Sequence, residues 1–537
     1  MGFRFSVILA VFTLLYAGLA LNFYNLQIKK GSYYSARAES QHRLAGELEP
    51  ERGNIFFTDK DKKAVPVAIK KYYPFVFAVP KEINDAESVS FKIAPILGLN
   101  EAELFGKLSL KNSAYQSLKK RIFEETADKI RELSLKGIYV GREPCRFYPN
   151  GKLAAHILGY VDTEKIGRYG AESFYDKILN GEKGKVSGDK IIEPVNGKDI
   201  YLTIDFNIQF ASEKILEKLV GTYKAEGGTA IVMNPKNGDI LAMASLPNFD
   251  PNDYGKYDIK DFLNPAVEAV YEPGSIFKMI TMAAGIDSGR ITPETEFVDT
   301  GEVILNNRVI KNSDHKVYGR VTMTNVIEKS INTGAVFAVR EIGREIFLNY
   351  LKKFGLNKKT GVDLPGEVTG SIRALEEDGR DINFATASFG QGVSITPVRL
   401  IAAISAVANK GLMVKPHLIV GKPGDLGRPI NEETSRKAVA MMVSAVDKAE
   451  VAKISDYSVA GKTGTAQVPN AKGGGYGTDV INTYVGFAPA YDPRFIVLLK
   501  MDKPAGAPLA GQTIVPAFRE LSQFILNYYA APPDRVE

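Results

Sequence analysis

A serine and a lysine three residues apart are the side chains best suited to chemistry in this chain. Ser275 follows a Pro-Gly turn and opens an apolar stretch with helical spacing, and Lys278 lies one turn further along the same face. A serine hydroxyl is a poor nucleophile until a base takes its proton, so the pair predicts nucleophilic catalysis. The free backbone N–H groups in the first turn of a helix would also favour a developing anion.

The Ser-x-x-Lys pattern alone is a weak signal, because it recurs at Ser117, Ser187 and Ser313. These serines lie in charged, Gly-rich or polar sequence that lacks the turn-to-helix setting. An isolated short motif is more often an ordinary surface or core position than a catalytic site. The context therefore selects the serine at position 275.

Two further motifs follow in the chain. The run 330–332 (Ser-Ile-Asn) lies 55 residues after the serine, and its spacing allows one of the two polar residues to face a cleft while Ile331 packs away. The run 462–465 (Lys-Thr-Gly-Thr) begins 132 residues later in strand-like sequence, where Gly464 would let a ligand approach the backbone. A second Lys-Thr-Gly, at 359–361, is predicted to be a turn because it follows a helical pattern and precedes Pro-Gly.

The three motifs together resemble those of the penicillin-binding transpeptidases, and their spacings are similar to those of class B members, the monofunctional peptidoglycan cross-linkers. Shorter matches extend over most of the chain, at 52–55, 146–149, 156–160, 389–392 and 482–489. The residues at 272–274 and 363–367 resemble the division-type (septal) branch. The resemblance implies a peptidoglycan D,D-transpeptidase that cross-links stem peptides through a serine acyl-enzyme in septal cell-wall synthesis. It also implies a target of β-lactams.

The resemblance implies a role for each site residue. Ser275 would be the nucleophile, Lys278 its base, and Ser330 a proton relay to the leaving amine. Asn332 would donate to the substrate amide, and the strand run would hold the terminal carboxylate. The backbone N–H groups of Ser275 and Thr465 would form the oxyanion hole. The substrate-binding residues of the strand are Lys462, Thr463, Gly464 and Thr465.

Lys278 acts as a base only when it is neutral, whereas a solvated lysine has a pKa of about 10.4. Burial disfavours the charged form of an amine, and a second positive charge nearby has the same effect. We therefore expect burial and the neighbouring Lys462 to lower the pKa of Lys278.

Residues 29–195 carry none of the three motifs, and the resemblance implies that they form a pedestal or dimerisation-type domain that docks partners. It implies structural roles there for Arg52, Gly53, Arg146 and Glu172. The sequence departs from the family in one place, because the run after 52–55 lacks the usual Asp-Arg-Asn-Gly. Its local charge pairing must therefore differ.

The expected fold class is α/β (α+β), with an antiparallel sheet flanked by helices in the transpeptidase domain. The prediction rests on a helix at 208–219, a hairpin of strands at 229–233 and 240–244, and later strands at 458–460, 483–487 and 495–500. In the pedestal, the pattern predicts a strand at 72–79 and helices at 86–97 and 114–133. The expected domains are a cytoplasmic tail (1–4), a transmembrane anchor (5–28), the pedestal (29–195), the transpeptidase domain (196–530) and a second tail (531–537).

Residues 5–28 form an uncharged, apolar run that is long enough to span a bilayer. A cleaved signal peptide with a small-residue site at 18–20 is the alternative, but the length of the run favours an uncleaved single-pass anchor. The charges flanking the run oppose a simple positive-inside count. The resemblance instead implies a protein of the plasma (inner) membrane with an extracytoplasmic catalytic domain.

The 537 residues are 45% apolar and 24% charged, as in an ordinary folded protein of two or three domains. The net charge of +6, without a long Lys/Arg run, gives nucleic-acid binding little support. Four scattered histidines and a single cysteine, Cys145, lack metal-ligand spacing and allow no internal disulfide. No metal or cofactor is expected.

Two other functions stay open. A β-lactamase or β-lactam sensor would use the same fold, but it would need a deacylating base, for which Glu367 is a candidate only by its place in the sequence. A non-catalytic division scaffold would use the pedestal alone, which the complete set of motifs disfavours. The expected partners are peptidoglycan stem peptides and lipid-linked precursors, β-lactams, the membrane through 5–28, a glycosyltransferase and other division proteins, but not nucleic acid.

We predict that penicillin acylates Ser275. Intact-protein mass spectrometry followed by peptide mapping should place the penicilloyl adduct on this residue, and Ser275→Ala should abolish labelling while the protein stays folded. An adduct on Ser117, Ser187 or Ser313 would contradict the assignment.

Overall fold

The structure is a computed structural model that describes residues 12–20, 23–24, 47–113, 115–187, 190–377, 379–470, 475–506 and 509–535. The chain divides into two compact units. The first unit contains the chain up to Asn54 together with 68–147 and 177–199, and the second contains 55–67, 148–176 and 200–537. The second unit thus includes two segments of the stretch expected to form the pedestal.

Only residues 12–20 and 23–24 of the predicted membrane anchor, 5–28, are described, and they are helical with exposed apolar side chains such as Phe12 and Leu14. The remainder of the anchor and the tail at 1–4 lie outside the described residues. Within the described part of the chain, no helix combines the length and the apolar character needed to cross a bilayer. Single-pass anchoring therefore stays a prediction.

The first unit contains a sheet with helices on one face. Its central strand, Ala64–Ala78, belongs to this unit from residue 68 onward and pairs antiparallel with Gln116–Lys119 and Ile138–Phe147. Buried aliphatic side chains join this sheet to three helices, Ala86–Leu97, Glu101–Leu108 and Glu124–Glu132. A second, smaller sheet consists of the strands Glu47–Leu48, Gly184–Ser187 and Lys190–Ile192.

The predicted helix at 114–133 is wrong in its first half, where the strand Gln116–Lys119 forms instead. Leu118 enters the core from this strand, and Arg121 then takes a left-handed backbone conformation (φ 51°) before the helix Glu124–Glu132 begins. The apolar spacing of so short a segment is compatible with either a helix or a strand. Pairing with the central strand favours the strand. The predicted strand at 72–79 and helix at 86–97 are confirmed within one residue at each shared end, although the strand begins earlier.

The second unit is built on a five-stranded antiparallel sheet. Its strands are β1 (Gly227–Met233), β2 (Ile240–Leu246), β3 (Ala460–Pro469), β4 (Tyr476–Ala488) and β5 (Phe495–Asp502). Their order across the sheet is β2-β1-β5-β4-β3, so the early hairpin pairs with the C-terminal strands as predicted. The strand Ile200–Asp205 pairs in parallel with Ile55–Thr58.

Six helices surround the site and the sheet. They are α1 (Phe206–Thr222), α2 (Lys278–Asp287), α3 (Asn332–Ile342), α4 (Pro397–Ala408), α5 (Glu432–Ala449) and α6 (Ala510–Tyr528). Helices α1 and α6 share one hydrophobic core with alternate residues of the strands, where Phe518 of α6 packs against Tyr484 of β4. All of α4 and nearly all of α2 is buried, as expected for helices in the interior of a domain. The first residue of α2, Lys278, is therefore placed inside the protein.

The segment between α2 and α3 forms two short antiparallel pairs. Glu296–Asp299 pairs with Gly319–Thr322, and Glu302–Leu305 pairs with Arg308–Lys311 to form the 302–311 hairpin. The remaining helices are Ala155–Leu158, Gly170–Phe174, Asp176–Asn180, Ile259–Phe262, Pro265–Glu268, Met323–Glu328, Arg344–Lys353, Arg373–Glu377 and Asp381–Ala387. Short strands lie at Tyr160–Val161, Gly167–Arg168, Met413–Val414 and Asp425–Gly427, and 3-10 helices at Pro80–Glu82, Pro251–Lys256 and Gly274–Phe277.

Candidate active site

The candidate nucleophile lies where the chain enters the buried helix α2. Ser275 belongs to the 3-10 turn Gly274–Phe277, and Lys278 is the first residue of the helix that follows directly. Ser275 is partly exposed, whereas the side chain of Lys278 is fully buried. The turn therefore presents a hydroxyl at the protein surface and an amine just beneath it.

Four oxygen atoms surround the amine of Lys278. Its Nζ lies 3.1 Å from Ser275 Oγ and 3.2 Å from Ser330 Oγ. It also donates to the backbone carbonyl of Ser330 at 2.6 Å and to Asn332 Oδ1 at 2.8 Å. A neutral amine has two N–H donors and one lone pair. Because the carbonyl and the amide oxygen only accept hydrogen bonds, they occupy both donors and leave the lone pair for a hydroxyl proton.

Burial disfavours the charged form of both site lysines. It lowers the pKa of Lys278 well below the usual value, and the positive charge of Lys462 lowers that pKa further. Burial also lowers the pKa of Lys462 to about 7. An amine removed from water loses the hydration that stabilises its charged form. Both effects favour the neutral amine of Lys278, the form that can accept a proton.

Ser330 lies between the two lysines. Its Oγ is 3.2 Å from Lys278 Nζ and 2.9 Å from Lys462 Nζ, so a proton could pass along this line of groups. The backbone of Ser330 is left-handed (φ 56°), a conformation that costs a non-glycine residue about 1 to 3 kcal/mol. This conformation lets both its carbonyl and its hydroxyl contact Lys278. The next residue, Ile331, is fully buried, as the alternation predicted.

The Lys-Thr-Gly-Thr run lies on β3, at the edge of the sheet and against the 3-10 turn. A Cβ on Gly464 would lie 2.7 Å from the carbonyl oxygen of Pro273, so glycine allows the strand to come this close. Thr463 is half-buried beside Lys462, whereas Thr465 is exposed and its hydroxyl lies 3.3 Å from Asn482 Oδ1. The two residues predicted to form the oxyanion hole, 275 and 465, therefore lie on facing segments.

Glu272 is a site neighbour that the motifs did not reveal. Its carboxylate accepts hydrogen bonds from the N–H of Gly392 and the hydroxyl of Tyr476, both at 3.0 Å. Burial raises the pKa of Glu272. The carboxylate thus joins the loop at 389–392 to strand β4 next to the nucleophile turn. The sequence marked this residue only as part of the run 272–274 that resembles the septal branch, without indicating these contacts.

Glu367 does not contact the site residues. Its carboxylate accepts from the N–H and the hydroxyl of Thr360, at 2.6 and 2.7 Å, and from the N–H of Gly361 at 2.9 Å. These bonds close the second Lys-Thr-Gly into a turn, as predicted. Glu367 is therefore structural, and the sequence candidate for a deacylating base fails.

The structural residues predicted for the pedestal fall in both units. Arg146 is buried in the first unit and donates from Nη1 to the carbonyl of Gly53 at 2.8 Å, and Arg52 precedes that glycine. A Cβ on Gly53 would lie 2.1 Å from the carbonyl oxygen of Lys198, so a larger residue does not fit. Glu172 is buried in the second unit and accepts from Tyr148 Oη at 3.1 Å. Ion pairing among these residues stays a prediction.

A serine in contact with a buried lysine, next to a Lys-Thr-Gly strand, is the arrangement typical of the serine acyltransferases that react with penicillin. Residues 228–523 match the family model of the penicillin binding protein transpeptidase domain, and residues 47–202 match that of the penicillin-binding protein dimerisation domain. The first match covers more than half of the chain. The chain belongs to the penicillin-binding protein transpeptidase family, within its class B branch.

Known proteins of this family resemble the chain over most of its length. Stage V sporulation protein D of Bacillus subtilis is 35% identical over 500 residues, which cover 87% of this chain and 76% of the relative. A probable peptidoglycan D,D-transpeptidase of Pseudomonas aeruginosa, PbpC, is 27% identical and the match covers 100% and 97%. The crystal structure of penicillin binding protein 3 from Mycobacterium tuberculosis in complex with aztreonam superposes with a TM-score of 0.72 at 26% identity, covering 91% of this chain and 98% of that chain.

We predict different pH profiles for two lysine variants. Lys278→Ala should lower the acylation rate constant with penicillin at least about a hundredfold at every accessible pH, because general-base catalysis contributes typically 10²–10⁴-fold. Lys462→Met removes a charge that lowers the pKa of Lys278, so that pKa rises. Neutral Lys278 then appears only at higher pH, and the acidic limb of the acylation profile should move upward.

The control for the second variant is Lys329→Met, which removes an exposed charge next to Ser330. Solvent screens such a charge, so the profile should stay close to that of the wild type. Coincident profiles for Lys462→Met and the wild type would contradict the proposed electrostatic coupling.

Proposed function

We propose that this protein is a peptidoglycan D,D-transpeptidase whose acyl-enzyme forms on Ser275. The observation that carries the proposal is the set of contacts around Lys278, which leaves its lone pair beside the serine hydroxyl. The curated relatives that are named as D,D-transpeptidases support the reaction class. The substrate would be a stem peptide that ends in D-alanyl-D-alanine.

The first half-reaction transfers the acyl group to the enzyme. Lys278 takes the proton of Ser275, and Oγ forms a bond to the carbonyl carbon of the penultimate D-alanine. The peptide C–N bond then breaks, and Ser330 passes a proton to the departing nitrogen, so that D-alanine leaves as a neutral amine. The N–H groups of Ser275 and Thr465 would stabilise the oxyanion, and one such donor typically contributes about 3 to 4 kcal/mol.

The second half-reaction restores the serine. The amine of a neighbouring stem peptide attacks the ester carbonyl, loses a proton to the lysine and relay groups, and displaces Ser275 Oγ, which regains its proton. The product is a peptide cross-link between two strands. Since one peptide bond breaks while another forms, no external energy source is needed.

The terminal carboxylate of the substrate would bind to strand β3. Lys462 provides the charge, with the hydroxyl groups of Thr463 and Thr465 on the same strand. Burial lowers the pKa of Lys462 to about 7. A bound carboxylate would raise that pKa again, because an opposite charge stabilises the ammonium form, and would keep the lysine charged. Asn332 still has one free amide proton for the substrate, because Nδ2 donates its other proton to the carbonyl of Lys311 at 2.9 Å.

A β-lactamase is the weaker candidate. Rapid hydrolysis of an acyl-enzyme needs a base that activates water, and Glu367 is engaged elsewhere. In the part of the chain that the structure describes, the groups in hydrogen-bonding contact with Ser275 and Lys278 include no carboxylate. A slow-turnover acyl-enzyme is what a transpeptidase needs, because it lets the acceptor amine compete with water.

The proposed place of action is the outer face of the plasma membrane, with residues 5–28 as a single-pass anchor. The first unit would dock a partner glycosyltransferase and other division proteins. The resemblance at 272–274 and 363–367 supports a septal role. Because one relative is named as a sporulation protein, cross-linking during sporulation is the second candidate.

The reaction is tested with a synthetic stem pentapeptide and an acceptor amine. We expect the wild type to release D-alanine and form the cross-linked product, and Ser275→Ala to do neither. The matched control is Ser117→Ala, which removes the serine of a different Ser-x-x-Lys match and should leave the rate unchanged. Rapid hydrolysis of penicillin without cross-linked product would instead identify a β-lactamase.

The anchor is tested by comparing three forms of the protein. The chain without residues 1–28 should be soluble and acylated by penicillin at the wild-type rate, because the anchor provides no group to the site. When exported by a cleavable signal, it should fail to support septal cross-linking, since anchoring raises the effective concentration of the enzyme near membrane partners. Replacing 5–28 with an unrelated membrane-spanning helix should restore function. Full function of the unanchored form would contradict the proposal.

A further inference from the structure

Helix α3 begins without a cap from its own preceding residue. The N-terminal N–H groups of a helix have no partner inside the helix, and a polar residue at the N-cap usually satisfies one of them. Here the N-cap position is Ile331, whose side chain has no acceptor. Instead, Asn312 Oδ1 accepts the N–H of Asn332 at 3.0 Å and that of Thr333 at 3.2 Å. The cap therefore comes from a residue 20 positions earlier in the chain.

Asp299 fixes the orientation of this cap. Asn312 Nδ2 donates to Asp299 Oδ2 at 2.9 Å and to the carbonyl of Lys316 at 3.0 Å, so its oxygen must face α3. Asp299 also accepts from the N–H of Tyr318 at 2.8 Å, the N–H of Gly301 at 2.9 Å and the hydroxyl of Thr333 at 2.6 Å. Four donors fill the four acceptor positions of the carboxylate.

Both members of this pair are removed from solvent. Asp299 is 1% exposed and Asn312 is 2% exposed. A buried polar network whose groups are all paired is rigid, whereas an unpaired buried group is costly. The pair therefore holds the first turn of α3 in one position.

The first residue of that turn is Asn332, which contacts the base. Its Oδ1 accepts one of the two N–H groups of Lys278 at 2.8 Å, and its Nδ2 donates to the carbonyl of Lys311, the neighbour of Asn312. If Asn332 moved away, Lys278 could rotate and its lone pair would no longer be directed at Ser275. A displacement of about 1 Å at a reacting group can cost about a hundredfold in rate.

We infer that Asn312, oriented by Asp299, is a positioning residue for acyl transfer. It touches neither the substrate nor the reacting atoms and acts through Asn332. The inference rests on the proposed function, since it concerns how the base of that reaction is aimed.

The first experiment compares Asn312→Ala with Asn307→Gly. The matched control removes an exposed asparagine from the turn of the 302–311 hairpin, which directly precedes Asn312, at a left-handed position (φ 59°) that glycine adopts freely. The measurement is the initial rate of acylation by a fluorescent penicillin, divided by the number of titratable sites. We expect a decrease of about tenfold or more for Asn312→Ala, with unchanged initial affinity, and wild-type behaviour for the control.

This measurement separates positioning from mere stability. A purely structural role would lower the melting temperature and the number of titratable sites, but each folded site would react at the wild-type rate. Such an unchanged rate per site would overturn the inference. If the wild type itself were not acylated at Ser275, the proposed function would fail instead, so the two failures are distinguishable.

A second pair of variants applies if Asn312→Ala does not fold. Asn312→Asp keeps the acceptor for α3 but brings a second carboxylate against Asp299, which should slow acylation per site. Adding Asp299→Asn restores a donor between the two positions and removes the repulsion. We expect the double variant to acylate at least about threefold faster than Asn312→Asp alone, since contacting residues couple non-additively. A double variant that is no faster would contradict direct orientation of the cap by Asp299.

Discussion

The removal of Lys278 from water is the constraint on which the rest of the site depends. Moving an ammonium group into a protein interior costs several kcal/mol per ion, and in a dry site the group loses its proton instead. The neutral amine still has two N–H groups that need acceptors. The chain provides them at Ser330 and Asn332, more than 50 residues away. The hydrogen bonds that orient the lysine amine for chemistry are thus the same ones that satisfy its buried N–H groups in the fold.

Close backbone packing brings the segments of the site together. Glycines occur where two main chains meet, and a side chain would keep them apart. A Cβ on Gly390 would lie 2.2 Å from the carbonyl oxygen of Gly274, and one on Gly274 itself would lie 3.0 Å from that of Thr465. Three distant segments are in this way stacked around the nucleophile.

The sequence predicted the parts of the site whose residue types are tied to chemistry. The sequence singled out Ser275, Lys278 and the Lys-Thr-Gly run because few other residue types suit nucleophilic acyl transfer. It predicted the hairpin at 229–244 because two apolar runs joined by a polar turn commonly form a β-hairpin. Asp299 and Asn312 were missed, since asparagine and aspartate are ordinary in loops and their partners are distant in sequence. The strand at 116–119 was missed because its identity depends on pairing with Ala64–Ala78, a tertiary contact.

The division of the chain into interleaved units has a consequence for how this protein can be cut and recombined. The chain passes from one unit to the other after residues 54, 67, 147, 176 and 199. No single cut therefore yields two complete halves. A fragment that began at residue 200 would lack Ile55–Thr58, and the strand Ile200–Asp205 would be left with a bare edge that invites aggregation. Exchange of gene segments between two related proteins would keep each unit from a single parent only when crossovers fall at all five of these boundaries.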